Sequence, residues 1–306
     1  MPPRPRDEAL SEVVGFVLIL GVIVVALSLY QVYAVPAAGR ENEIAHMNQV
    51  KNRFVDYKIA LDSLWVNEKQ GVLLSMAFDL GTGAPATGGR AFSLPILTPA
   101  GSGGMVRVES GGAWLTVTAQ ESGNEDPTIL IEDLPLGSLT YQSSNRYWVD
   151  QKWIYQGGAI FLSQDGGTTV RVGPSIAVAK SGDNIDLNIA PIHLKGSDMI
   201  AGSGPVRIET RMRQGTSSPR ESFDWVNVTI EGDEPTVWAW KRAFDEVRER
   251  AKNDWDVNLP PVSGEFPGGG EVTLTVKPPN GNGKVYLTRH SSNYTVTLHG
   301  AASLAE

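Results

Sequence analysis

Residues 13–27 read VVGFVLILGVIVVAL, and no charged side chain occurs over residues 13–39. An uncharged helix over residues 13–35 would reach roughly 35 Å, enough for a hydrocarbon layer of about 30 Å. Tyr30 and Tyr33 fall near its outer end, where aromatic rings favour the membrane interface. Pro36 is expected to interrupt the helix. Three readings compete for this stretch. A buried helix of a soluble core is seldom apolar on every side over such a length. A cleaved signal peptide has a shorter apolar region, about 7–15 residues, ending at a small-residue site of the kind AVPAAG supplies. A retained membrane helix fits the length, with Val13 and Val35 at its ends and Gly15 and Gly21 inside it. Arg4 and Arg6 precede it, so the positive-inside tendency puts the N-terminus in the cytoplasm and the remainder outside, in a single pass.

The segment ahead of the apolar run is polar: Arg4-Pro-Arg6-Asp7-Glu8-Ala9-Leu10-Ser11-Glu12 leads into Val13-Val14-Gly15. This junction resembles the class III signal peptides of archaeal type IV pilin-like proteins. In that family a prepilin peptidase cuts between the polar leader and the apolar segment, which stays on the mature protein. The resemblance implies a leader over residues 1–9, cleavage between Ala9 and Leu10, and a retained helix over residues 10–36. Ser11-Glu-Val-Val-Gly15 is similar to the Ser-x-Val-x-Gly start of many such helices. Glu12 would be the third mature residue, whereas bacterial-type pilins carry a glutamate at the fifth. Glu41-Asn42-Glu43 with the amphipathic segment after it and VLLSMAFDLGTGAP, and later the stretch YQGGAIFLSQDGGTTVRVGPSI, resemble a β-rich archaeal pilin-like family of unknown detailed function. The partners this implies are the lipid bilayer, the peptidase and other pilin-like subunits.

Beyond the apolar run the chain reads as a folded α+β body, mainly antiparallel β and sandwich-like, with one or two packed helices. Its 306 residues are 41% hydrophobic and 20% charged, which excludes wholesale disorder. The 33 glycines and 19 prolines signal many turns. After a break at residues 36–40, residues 41–67 are expected to form a second helix. Ile44, Met47, Val50, Phe54, Tyr57, Leu61, Leu64 and Trp65 give it an apolar stripe that Lys51 and Lys58 interrupt. That helix either packs on the β body or serves as a stalk contact. A β-rich ectodomain follows over residues 71–258, with a C-terminal β segment over residues 259–306. Val72, Leu74, Met76 and Phe78 alternate along one strand. Gly111-Gly112 predicts a hairpin joining strands 105–109 and 114–118, and Gln164-Asp-Gly-Gly-Thr168 predicts another. Residues 222–230 read as one strand, and 284–289 and 293–298 as two. Residues 236–252 carry Val237, Trp240, Phe244, Val247 and Ala251 at helical spacing behind Pro235.

Chemistry is sparse. A formal charge of -8 argues against a nucleic-acid binder, and the absence of cysteine removes disulfides and thiolate sites. No G-x-S-x-G, H-E-x-x-H, Walker A or G-x-G-x-x-G pattern occurs. No catalytic residue, metal or cofactor is therefore expected. His290 and His299 fall on neighbouring predicted strands and are placed to approach each other. The acidic loops at 122–126 and 181–186 read as solvated turns rather than calcium sites. Asn227 and Asn293 head N-x-[ST] sequons and are glycosylation candidates on an exported chain. Two functions follow: a pilin-like structural or adhesion protein of the cell surface, or a monomeric anchored β module that stacks sugars on Tyr147, Trp148 and Trp153. A membrane-anchored hydrolase has no motif behind it.

Overall fold

The computed structural model describes residues 5–82, 97–264, 270–278 and 283–300. Helix α1 (Pro5–Leu29) passes through a π-helical turn at Tyr30–Ala34 into helix α2 (Val35–Val66) without a break. Pro36 thus does not end the helix, contrary to the sequence expectation, and the separate helix over 41–67 is the second half of one rod. The reason is local. The N–H of Val35 bonds to the carbonyl of Tyr30, five residues back, so the turn is widened where a proline ring would strike the preceding turn.

Strands β1 (Leu73–Asp79), β2 (Gly103–Glu109), β3 (Ala113–Gln120), β4 (Thr128–Pro135), β5 (Ser138–Ser144) and β6 (Lys152–Gln156) come next. They are followed by β7 (Ala159–Gln164), β8 (Gly167–Val172), β9 (Ile176–Ser181), β10 (Asn184–Ile189), β11 (Ile192–Lys195) and β12 (Ser197–Gly202). Then come β13 (Pro205–Ser217), β14 (Glu221–Phe223) and β15 (Trp225–Gly232), helix α3 (Glu234–Trp255), and β16 (Ser263–Gly264), β17 (Gly270–Val276) and β18 (Val285–Gly300).

Three sheets result. One runs β1-β13-β18-β10-β9, with β11 and β14 also on β18; the second runs β12-β2-β5-β6-β7-β8; the third runs β16-β17-β15-β3-β4. Nearly every pairing is antiparallel, the parallel ones being β10 and β11 against β18. The fold is α+β: a long apolar helix followed by sandwich-like antiparallel sheets with a packed helix.

The sheets enclose two cores. The third sheet, α3, β9, β10 and the first half of β18 bury Val117, Val228, Leu274, Leu287, Trp240 and Phe244 together. The other core lies between α2, the second sheet and the strands β13 and β18, and holds Phe54, Leu61, Tyr141, Tyr155, Ile208 and Tyr294. Strand β7 divides them: Ala159 and Phe161 belong to the first core, Ile160 and Leu162 to the second. A strand covered on both faces reads as a continuous apolar run rather than an alternation, as AIFL does.

Several local expectations hold. Gln164 faces Gly167 across a two-residue turn, closing the β7–β8 hairpin. Pro235 sits in the first turn of α3, and Val237, Trp240, Phe244, Val247 and Ala251 face the core. Asp233, which the sequence reading did not single out, caps the helix by accepting the N–H of Thr236 at 3.0 Å. Others fail where partner choice is non-local. Gly111-Gly112 joins no hairpin: β2 pairs with β12 and β5, while β3 pairs with β15 and β4. Val106 and Val108 face the second core but Leu115 and Val117 the first, so the turn, with Gly112 at a φ of 99°, carries the chain from sheet to sheet. The strand expected over 222–230 breaks at Asp224, leaving β14 and β15 in different sheets. The two expected C-terminal strands are one, β18. Its first residues lie between β10 and β14, and its last pair with β13. Residues 259–306 thus contribute β17 inside the third sheet and β18 at the centre of the first.

Candidate functional site

The apolar half of the rod stands clear of everything else described. Val13, Leu18, Val22 and Tyr33 are exposed, and none of the most apolar 18-residue window is covered. Each such side chain gains about 1.5–3 kcal/mol on leaving water, so this surface needs a covering. Among the described residues one helix is long and apolar enough to cross a membrane. Over Glu12–Val66 it has 55 residues, a length of roughly 80 Å.

From Gly39 onward the rod is clamped. Gly39 lies under the ring of Tyr147, where a Cβ would overlap it. Arg40 places its guanidinium 4.4 Å from the centre of the Trp148 ring. Glu43, buried, accepts the backbone N–H of Arg146 at 2.7 Å and of Tyr147 at 2.8 Å. Charge-assisted bonds of this kind are worth about 1.5–3 kcal/mol. One turn on, His46 Nε2 lies 3.2 Å from the hydroxyl of Tyr141, which donates to the Leu80 carbonyl at 2.8 Å. Farther along, Tyr57 and Thr210 share a hydroxyl hydrogen bond at 3.0 Å, and Tyr294 donates to the Leu61 carbonyl at 3.0 Å.

Lys58, read from sequence as an interruption, belongs to the clamp. Its ammonium donates to Asp62 Oδ2 at 2.8 Å and to Ser175 Oγ at 3.0 Å, while Asp62 Oδ1 accepts the indole N–H of Trp65 at 3.0 Å. Pairing on every side is what lets an ammonium sit there. Lys51, by contrast, is exposed. The apolar stripe read from sequence left out Glu43 and His46 because they are polar. The missed signal was spacing: Glu43, Val50, Tyr57 and Leu64 follow one another at sevens, on the face that also holds Met47, Phe54 and Leu61.

Burial holds His46 below its ordinary 6.5, against the opposing pull of Asp79 and Glu43. Burial, with Lys195 beside it, does the same to His193. Both are therefore neutral in the fold where the unfolded chain takes up protons. Stability should be flat above pH 6.5 and fall as the pH drops from there toward the lower folded values. Thermal melts from pH 7.5 to 5 should show this decline, and His46→Gln should shallow it. A profile that stays flat below pH 6.5 would contradict the assignment.

The remaining predicted site residues scatter. Ala9 and Leu10 lie on the helical backbone of α1. A Cβ at Gly15 or Gly21 would meet nothing beyond its own helix, and Val35 opens α2. Asn227 lies on β15 between β17 and β3, and Asn293 on β18 between β13 and β11, both in strand interiors. His290 and His299 do not approach each other. They share β18, nine residues apart in an extended strand, and so stand roughly 30 Å apart. His290 Nδ1 lies 2.8 Å from Ser217 Oγ with its ring beside Trp65, and His299 Nε2 lies 3.3 Å from Glu209 Oε2. Of the three aromatic residues proposed as a sugar platform, Trp153 is buried against Phe54, and Tyr147 and Trp148 lean on the rod. Trp240 is in the core and donates to Gln156 at 2.9 Å, whereas Trp238 is exposed. In the acidic loops, Asp186 pairs with Arg220, and Ser122 joins Asp224 and Lys284. No group of acidic or histidine side chains able to hold a metal occurs among the described residues.

A family model described as a family of unknown function, DUF7289, matches residues 102–278, more than half of the chain. The chain belongs to this family. The DUF7289 match begins at β2 and ends just past β17, leaving α2, β1 and β18 outside it. Those outlying elements supply Phe54, Leu61, Phe78, Tyr294 and Val296 to the second core, so the matched stretch is not a closed body by itself. The chain matches no curated protein and no solved structure.

Proposed function

We propose that this chain is a pilin-like structural or adhesion protein of the cell surface, with a non-catalytic role. A prepilin peptidase would cut between Ala9 and Leu10, and the helix that follows would then anchor or assemble the protein. The observation behind this reading is the two-part rod. One continuous helix is bare and apolar over its first half and locked into a β body over its second. The bare half has to be covered by lipid or by the apolar helices of neighbouring subunits, since water is the costly alternative. The clamp then carries any load on the helix straight into the sheets. Arg4 and Arg6 support an inside N-terminus and an outside β body. A monomeric module that stacks sugars on Tyr147, Trp148 and Trp153 has less behind it, since Trp153 is buried and the other two face the rod.

The test is the N-terminus of the protein taken from its native membrane, by sequencing and intact mass. Expected is a start at Leu10. A start at Met1 or Pro2 would make it a plain signal-anchored surface protein. A start near Ala37 would mean ordinary secretion and end the pilin-like reading.

A further inference from the structure

The membrane reading of the helix, on which this inference rests, sets a height for everything attached to the rod. Residues 13–39 carry no charge, and as a helix they span roughly 40 Å, the thickness of a bilayer with its headgroups. Arg40 is therefore the first charge to emerge, at the level of the outer headgroups. A loop of the β body is fixed at that same level. Glu43 holds the N–H groups of Arg146 and Tyr147, Tyr147 rests on Gly39, and Trp148 lies under Arg40. The loop is braced from within as well. Asp150 accepts the Asn145 N–H at 2.7 Å, and the Asn145 side chain donates to the Val149 carbonyl at 2.9 Å. It presents Arg146 and Val149 to the outside and leaves Trp148 half-buried.

We propose that residues 145–149 and Arg40 form a collar that sits in the outer-leaflet headgroup layer and fixes the tilt of the β body on the membrane. The chemistry matches that layer. Guanidinium groups bind phosphate diesters through paired donors, and indole and phenol rings settle where acyl chains give way to headgroups. Glu41, Glu43 and Asp150 outnumber the two arginines, so the attraction is not one of net charge. Trp148 is accordingly the residue to follow.

The full chain, in phosphatidylcholine–phosphatidylglycerol nanodiscs, would carry nitroxide lipids labelled either at the headgroup or at the end of the acyl chain. The difference in emission between the native protein and Trp148→Phe isolates Trp148. Its emission should be quenched by the headgroup nitroxide roughly twofold more than by the acyl-chain one, as for an interfacial ring, and shielded from aqueous iodide. Trp148 quenched by iodide and by neither nitroxide would overturn the collar. A Val24→Trp reporter, near the centre of the apolar helix, separates the two failures. If the acyl-chain nitroxide quenches it while Trp148 stays in water, the anchor stands and the collar is wrong. If it too escapes quenching, the membrane reading fails and the collar with it.

Discussion

Replacing Val22 and Val25 together by arginine is expected to release the protein from alkali-washed membranes while leaving the melting of the β body unchanged. On the insertion scale, the fifteen aliphatic and phenylalanine residues among positions 13–35 contribute roughly -4 to -9 kcal/mol at about -0.3 to -0.6 each. Two arginines near the centre of the helix replace two of those terms with about +2.5 to +3.5 kcal/mol apiece. The sum moves from strongly favourable to near zero, a loss of several orders of magnitude in the insertion equilibrium. Both side chains are exposed, so the fold loses no contact. Membrane fractionation and calorimetry read the two halves of this expectation separately. Arginine-bearing protein that stays in the washed membrane, or melts earlier, would contradict it.

Phe54→Ala should destabilise the body by about 3–5 kcal/mol, the usual cost of emptying a buried phenylalanine site, whereas Phe16→Ala should leave it untouched. The two residues share one helix and one substitution. They differ in surroundings: Phe54 is 0% exposed against Trp153, and Phe16 is 67% exposed with no body around it. The cavity would open between the rod and the second sheet, so the clamp should loosen there first. Denaturant unfolding of both variants gives the comparison, and equal midpoints would show that the rod is not part of the cooperative unit.

How much of this was legible beforehand varied with the range of the forces involved. The apolar half of the rod was plain, because fifteen large apolar residues without a charge need no partner to declare themselves. The core face of α3 was equally plain, since its periodicity and its start at Pro235 are local features. The clamp was only half legible. Its apolar residues stood out, but Glu43 needs the backbone of residues 146 and 147, about a hundred positions away, before burying a carboxylate makes sense. Lys58 likewise looked like an interruption until Ser175 and Asp62 came beside it.

An apolar helix leading a β-rich body could be read from local signals, because hydrophobic periodicity, turn residues and a helix-start proline act over a few neighbouring positions. That the helix continues through Pro36, that Gly111-Gly112 parts two sheets, and that residues 285–300 form one central strand emerged only in the folded chain. A strand reveals its own alternation but not its neighbour, since many registers satisfy the same local pattern. The choice among them is made when the two cores close and buried charges such as Glu43 and Lys58 find their partners.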